Sequence, residues 1–255
     1  MVISAEQRRT GIIERVREAG KVRISDLSRQ YGVSEVSIRK DLELLEKQGY
    51  LNRIHGGAVS VNKSYINMDL DERFTTNSAS KIELARAVAA LVTDNDTIML
   101  NAGTTLLYVL RAIQSKNNIS IVTNSIQNAI EAISYESFNV ILLGGQIDKK
   151  YQFTYGTDTL NQLDQYHATK CILSLDGINS TTGLSLYYAS ETDVINKMIA
   201  SAGEVIVAAD KSKLGKNTFT RVAPLSCVDK IVTNKNGNSS ELEKIRKMGI
   251  EVIEA

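Results

Sequence analysis

The chain has 255 residues, with 30 Lys and Arg against 29 Asp and Glu, a formal net charge of +1, two cysteines and a single proline. That length accommodates a small and a medium domain, each burying its own core. Glu6, Arg8, Arg9, Glu14, Arg15, Arg17, Glu18 and Lys21 break up the N-terminal stretch, and no later segment offers the apolar run that a membrane helix needs, so the sequence predicts a soluble cytoplasmic protein without a membrane partner.

Cys171 and Cys227 stand singly in apolar runs, with no metal-type or redox-type neighbour. They are expected to be two buried free thiols, with no metal site and no cofactor. The balanced net charge hides an asymmetry: residues 1–58 hold 11 basic and 8 acidic residues, the remainder 19 and 21. A basic N-terminal part permits nucleic-acid binding without requiring it.

In chain order, Ile12, Ile13, Val16 and Ala19 recur at helical spacing and predict a first helix over residues 5–19, ended by Gly20. Val22 and Ile24 flank Arg23 in a short extended piece. Ser25 is expected to cap a second helix containing Leu27 and Tyr31, and Gly32 to make the following turn. A third helix starts at the N-cap Ser34, with Ile38, Leu42 and Leu45 at i, i+4 and i+7 on one buried face, and Gly49 stops it. Residues 50–54 then read as a strand, 55–58 as a tight turn and 59–61 as a second strand. Three helices followed by a hairpin is the winged helix-turn-helix order. The polar stretch up to residue 80, with neither helical nor strand period, reads as a linker in which Arg73 and Phe74 begin to dock onto the second domain.

From Lys81 onward the pattern alternates. Helices are expected over 82–92, 105–113, 126–133, 191–200 and 241–247, and strands over 97–100, 119–122, 140–143, 171–174, 205–208, 230–233 and 251–253. Short apolar runs separated by amphipathic helices predict a mostly parallel sheet covered on both faces, with its ligands bound beyond the carboxyl ends of the strands. The domain limits are thus 1–58 for the winged helix, 59–80 for wing end and linker, and 81–255 for the α/β domain.

Turning 100° per residue from Ile38 puts Val36, Arg39, Lys40, Glu43 and Lys47 on the outer side of the third helix, with Ser37 at its margin. This is the candidate major-groove face. Arg39 and Lys40 can donate to guanine O6 and N7 or to phosphate, Ser37 can bond phosphate or a base edge, Val36 can meet a thymine methyl, and Ser34 at the helix start is a further candidate DNA contact. Arg53 and His55 sit on the wing. The bland alternative is an ordinary solvated helix face, since exposed Lys and Arg are common.

These residues carry a resemblance. Arg9, Ile13, Val33-Ser34, Ser37-Ile38-Arg39-Lys40-Asp41-Leu42, Leu45, Gly49 and His55-Gly56-Gly57-Ala58 resemble the N-terminal signature of the DeoR family of bacterial sugar-metabolism repressors. The family's middle block usually reads Thr-Ile-Arg-Arg-Asp-Leu; Ser37 keeps the hydroxyl, and Lys40 replaces a bidentate guanidinium with a point charge better suited to phosphate.

In the second part, Asn101-Ala102-Gly103-Thr104-Thr105 follows a strand and opens a helix, where backbone N–H groups and two hydroxyls can cradle an anion. Thr123-Asn124-Ser125 repeats the arrangement after the next strand, and Gly144-Gly145 follows the one after that. Three consecutive strand ends therefore converge on one rim. Lys213, in Ala209-Asp210-Lys211-Ser212-Lys213-Leu214-Gly215, can neutralise a phosphate, while Asp176 or Glu191 can accept from sugar hydroxyls. Plain alternatives are Asp210 as turn former, Glu191 as N-terminal helix charge and Lys213 as surface lysine. The same loops resemble the family's C-terminal sensor domain, which implies a fold related to ribose-5-phosphate isomerase and glucosamine-6-phosphate deaminase and a phosphorylated sugar as effector. Asn101 stands where the family often has Asp, and residues 183–188 are where effector selectivity is expected.

The leading reading is a repressor of a carbohydrate-utilisation operon, bound to double-stranded operator DNA as a homo-oligomer, dimer or tetramer, and released by a phosphorylated sugar. A rival is a phosphosugar isomerase or deaminase fused to a DNA-binding module, which would need a general base and usually a histidine. The only histidines are His55 on the wing and His167 in a helix-to-strand connection, so no catalytic residue is assigned, although Asp176 or Glu191 could serve as a base. A ligand-free architectural DNA binder leaves the loop series unexplained.

Overall fold

The computed structural model describes residues 4–47, 50–60, 68 and 70–255. The chain divides into two compact units, residues 1–68 and 69–255.

In the first unit α1 (Ala5–Ala19) opens on a capping box in which Ser4 and Gln7 exchange side-chain and backbone bonds. It is followed by β1 (Lys21–Arg23), α2 (Ile24–Tyr31), α3 (Glu35–Lys47), β2 (Leu51–Ile54) and β3 (Gly57–Ser60). The strands form an antiparallel sheet in the order β1-β3-β2. Ile12, Val16, Leu27, Ile38, Leu42, Leu45 and Leu51 make the core, each at most 1% exposed. The buried Asp41 of α3 accepts from Arg8 Nε at 2.6 Å and lies 3.8 Å from Arg9, which fixes α1 against α3. Gly57 lies so close to β1 that an added Cβ would sit 2.1 Å from the Val22 carbonyl oxygen, which requires glycine there. Ser25 does not cap α2: the helix starts two residues earlier than that cap implies, at Ile24, with Arg23 at the N-cap and no side-chain cap bond. The second wing strand starts at Gly57 rather than Val59, because the turn is confined to His55 and Gly56. Gly49 and Val61 lie outside the described residues.

The second unit begins well before Lys81. Within the expected linker, α4 (Leu70–Thr75) and the start of α5 (Ser78–Ala89) already belong to it. Phe74 stacks on Tyr108 with ring centroids 4.8 Å apart, and Arg73 is buried. Then come β4 (Thr97–Leu100), α6 (Thr104–Ala112), β5 (Ile119–Thr123), α7 (Ile126–Ala132), β6 (Phe138–Leu142), β7 (Gln146–Asp148), β8 (Phe153–Tyr155) and α8 (Thr157–Leu163). The chain continues through β9 (Ala168–Leu173), β10 (Gly177–Asn179), β11 (Gly183–Leu186), α9 (Thr192–Ala200), β12 (Ala202–Ala208), β13 (Thr220–Ala223), β14 (Lys230–Thr233), α10 (Ser239–Lys247) and β15 (Glu251–Glu254).

Seven strands make one parallel sheet in the order β15-β14-β12-β9-β4-β5-β6. Apolar residues of α5 and α6, with Ala132 of α7, pack on one face. Residues of α8, α9, α10 and the small antiparallel sheet β10-β11-β13 pack on the other. The chain builds β4, β5 and β6 outward and then returns to place β9 on the other side of β4, so the strand order reverses between β4 and β9, the position at which such sheets open a ligand crevice. The expected seven strands of this sheet are all present. The β7-β8 hairpin, α8, and β10, β11 and β13 were not anticipated. Cys171 is buried as expected, whereas Cys227 is partly exposed, because it lies in a short 3-10 turn (Leu225–Cys227) at the margin of the core. No helix among the described residues is long and apolar enough to cross a membrane.

Candidate functional site

On α3, burial of Ile38, Leu42 and Leu45 turns the opposite face to solvent. Val36 is 58% exposed, Arg39 and Lys40 are exposed, and Ser37 is half-buried beside them. Ser34 holds the start of the helix, its hydroxyl accepting from the Ser37 N–H at 3.3 Å. Arg39 Nη2 donates to Glu35 one turn back at 3.1 Å, an exposed pair of small worth that phosphate or a base edge can displace. Arg53 is spoken for differently: its N–H and its Nε donate to the two Glu46 carboxylate oxygens at 2.7 and 2.8 Å, which ties the wing to α3. His55 is exposed in the wing turn. The Lys47 side chain lies outside the described residues.

In the second unit the expected residues gather at the switch point. Asn101, directly after β4, is fully buried and bridges to the end of β9: its Oδ1 accepts from the Ser174 N–H at 2.8 Å and its Nδ2 donates to the Ser174 carbonyl at 3.1 Å. Gly103 passes so near this bridge that a Cβ would fall 2.7 Å from Ser174 Cβ. Glu191, which closes a 3-10 turn (Ala189–Glu191) before α9, reaches across the same strand ends. Its Oε1 accepts from the Ala102 N–H at 2.9 Å and from Asn124 Nδ2 at 3.3 Å. Asn124 also donates to the Thr154 carbonyl at 3.1 Å.

Other expected residues are engaged locally. The Thr123 hydroxyl donates to the Leu100 carbonyl at 2.7 Å and accepts from the Ser125 N–H at 3.0 Å, and Ser125 caps α7. Thr104 and Thr105 open α6 and are buried. The Gly144 N–H donates to Gln162 and its carbonyl accepts from Thr159, while Gly145 packs against Thr159 as well, so this pair is clasped by α8. Asp176 accepts from the Tyr187 N–H at 3.1 Å and lies 3.7 Å from Lys213 Nζ. Asp210 caps the 3-10 turn that carries Lys213, accepting from the Ser212 N–H at 2.8 Å.

Two groups that the sequence did not single out for ligand binding complete the cluster. Lys81 of α5 is buried and donates to the Arg73 carbonyl and, at 3.1 Å, to the Thr104 hydroxyl. Arg73 of α4 lies 4.4 Å above the Tyr151 ring and donates to the Tyr188 hydroxyl at 3.2 Å. Lys81 sits in an amphipathic helix where a lysine normally reads as solvated, and the only warning in the sequence is its place on the apolar side with Leu84, Ala85 and Val88, all buried. Asn128, fully buried on α7, donates to the Asn101 carbonyl at 2.9 Å.

Burial dominates the electrostatics. It pushes the Glu191 carboxyl up to about 7, an effect opposed by the bonds from Ala102 and Asn124 and reinforced by Asp176. It pushes Lys81 down to about 8, against the pull of Asp210 and with repulsion from Lys213 and Arg73. Lys216 likewise falls to about 8 through burial and the charge of Lys213. Arg73, Lys81 and Lys213, all buried, thus share one neighbourhood with Asp176 and Asp210, a charge set with more cations than those two carboxylates balance. On the other side of the loop, the buried Oδ1 atoms of Asn124 and Asn128 lack a protein donor.

Residues 8–64 match the DeoR-like helix-turn-helix domain and residues 76–235 the DeoR C terminal sensor domain. The chain is 32% identical over 228 residues to the glycerol-3-phosphate regulon repressor of Escherichia coli strain K12, covering 89% of this chain and 90% of that protein. It is 29% identical over 248 residues to the HTH-type transcriptional repressor GlcR of Bacillus subtilis strain 168, covering 97% and 95%. Among solved structures, ribose 5 phosphate isomerase A from Neisseria gonorrhoeae is similar over 55% of this chain and 54% of that one, at 16% identity and a TM-score of 0.42; the chain spans about half of that isomerase. Both relatives are named as repressors, and neither as an enzyme. The chain belongs to the DeoR family of DNA-binding transcriptional regulators, with a helix-turn-helix unit joined to an α/β sensor domain.

Proposed function

We propose that this regulator represses a carbohydrate-utilisation operon in the cytoplasm, binding double-stranded operator DNA as a homo-oligomer and leaving it when a phosphorylated sugar binds the second unit. What supports the DNA half is the outer face of α3, with Val36, Arg39 and Lys40 exposed. Ser34, Ser37, Arg39, Lys40, Lys47, Arg53 and His55 are the proposed backbone and base contacts, Arg53 in competition with Glu46.

The observation that carries the sensing half is the polar ring at the switch point. Its cationic side, Arg73, Lys81 and Lys213 beside the Gly103-Thr104-Thr105 loop, suits a phosphate. Its acceptor side, Glu191, Asp176 and the undonated Oδ1 atoms of Asn124 and Asn128, suits sugar hydroxyls, with Asn101 as scaffold between them. Thr123, Ser125, Gly144 and Gly145 shape the rim. The Arg73 carbonyl accepts from Lys81 and, at 3.4 Å, from the Thr104 hydroxyl; a phosphate competing for these two donors would change how α4 is held, and a ligand that favours one arrangement shifts the population toward it.

Fluorescence anisotropy on DNA from upstream of the protein's own coding region, at fixed salt, tests this. Pentose, hexose, hexitol and amino-sugar phosphates are added in turn. Tight binding reversed by one of them is expected, with Lys213→Ala blunting reversal and leaving DNA affinity intact. Binding that no compound disturbs would remove the sensing half, and absence of sequence preference would remove the repressor.

A further inference from the structure

The two edges of the seven-stranded sheet are built differently. At one edge β15 carries Glu251 and Glu254, paired with Lys230 and Arg246, the charged edge that discourages pairing with another strand. At the other, β6 reads Phe138-Asn139-Val140-Ile141-Leu142 with no charge, no proline and an unbroken register against β5. Among the described residues no strand lies on its outer side. The Leu143 N–H donates to the Thr123 carbonyl at 2.9 Å, so by alternation Val140 and Leu142 turn their backbone N–H and C=O groups away from β5.

Beside this bare edge, α7 packs on β5 and β6. Its buried side holds Asn128, Ala129 and Ala132, while Ile126, Ile130 and Ile133 follow at i, i+4 and i+7 on the other. Ile130 is 55% and Ile133 68% exposed, and Leu142 of β6 is 45% exposed. These three side chains alone offer apolar surface on the order of 300 Å², comparable with the largest patch on an ordinary monomer.

We infer that two copies of this chain pair here, β6 against β6 across a two-fold axis, with the α7 isoleucines of both copies meeting over the joined sheet. A strand is what the outward backbone groups of β6 require, and an antiparallel copy of β6 supplies the same short apolar strand without bringing like charges together. The pairing also puts the two α7 helices on one face of the continuous sheet, since both cover the same side of β6. About 800 Å² per partner is the usual size of a stable interface, so the backbone edge of β6 and the residues flanking it must supply what the three apolar side chains do not. This surface rests on the homo-oligomer of the proposed function and not on its effector: a wild-type monomer would overturn both, an unchanged mass in the variants only this surface.

Light scattering and sedimentation velocity of the full chain test it, with Leu142→Lys, Ile133→Glu and, as a control in the groove between α5 and α6, Ile82→Glu. The first two are expected to halve the particle mass with unchanged circular dichroism, and the control to leave it intact. A wild-type monomer, an unchanged mass in both variants, or a mass halved only by Ile82→Glu would overturn the proposal. Should the variants misfold, hydrogen exchange of the wild-type chain decides. The Val140 and Leu142 amides are expected to be protected, and free exchange at both would overturn the pairing.

Discussion

Arg39 shows how little an exposed residue needs from its own fold to be useful. Its side chain is 60% exposed, and its partner Glu35 is 48% exposed, so the pair contributes well under 1 kcal/mol and the guanidinium is available to DNA. Arg39→Ala should leave thermal stability unchanged and weaken operator binding by about 1 to 3 kcal/mol if the contact is bidentate to a base; a change confined to the salt dependence would make it a phosphate contact instead. Glu191 is the opposite case, buried and accepting from the Ala102 N–H, Asn124 Nδ2 and, at 3.5 Å, Asn101 Nδ2. Because burial raises its carboxyl from 4.5 to about 7, the folded chain keeps a proton there that the unfolded chain has lost. Stability therefore falls as pH rises through that window and stays lower above it. Glu191→Gln keeps the accepting oxygen and removes the charge. Urea unfolding at about pH 8 should show the variant more stable than the wild type, by at most about 3 kcal/mol, with the two converging near pH 4.5. Equal stability at both values would mean that the ionised carboxylate is compensated in the fold.

At the scale of elements, the helices of the first unit were legible because Ile38, Leu42 and Leu45 repeat at helical spacing and Ser34 marks a start. The seven parallel strands were legible because each is a short apolar run. What escaped were β10, β11 and β13 and the β7-β8 hairpin. Their segments mix Thr, Ser, Asn and Gly, as in Gly177–Asn179 and Gly183–Leu186, and become buried only because they fold over the sheet. The linker was misjudged for a related reason. A six-residue helix such as α4 has too few turns for a period to emerge, and Arg73 is buried through contacts with Tyr151 and Tyr188, 78 and 115 residues away. Of the site, the strand-end loops and Glu191 were readable from type and position; Lys81 and Arg73 were not, because nothing local says that a cation is buried. Asp41 tests the same idea within the first unit, where family resemblance pointed to the residue and the structure gives its role. Removing it by Asp41→Ala leaves Arg8, whose side chain is 12% exposed, without its partner, and should lower the stability of that unit by about 3 kcal/mol. Thermal unfolding followed at the helical signal checks this, and a loss no larger than that of an exposed pair would show that water replaces the carboxylate.

The whole molecule has two cores of unequal size. Among the described residues the first unit rests on ten buried apolar residues grouped around Ile12, Leu27 and Leu42, whereas the second is built on both faces of a seven-stranded sheet. A domain of nearly 70 residues buries a smaller fraction of its surface than one of nearly 190 and is correspondingly less stable. Scanning calorimetry of the full chain should therefore resolve two transitions, the lower from the first unit. Ligands then label them. An effector phosphate at a hundred times its dissociation constant should stabilise the second unit by about 2.7 kcal/mol and raise the upper transition. Operator DNA should raise the lower one. The informative sample contains both ligands. If binding at the switch point is coupled to DNA release, the effector must lower the transition that DNA had raised, because linkage is reciprocal and the two ligands favour different states. If the two shifts simply coexist, each unit binds its own ligand and sensing does not reach the DNA, in which case the contact between Lys81 and the Arg73 carbonyl is a packing device and nothing more.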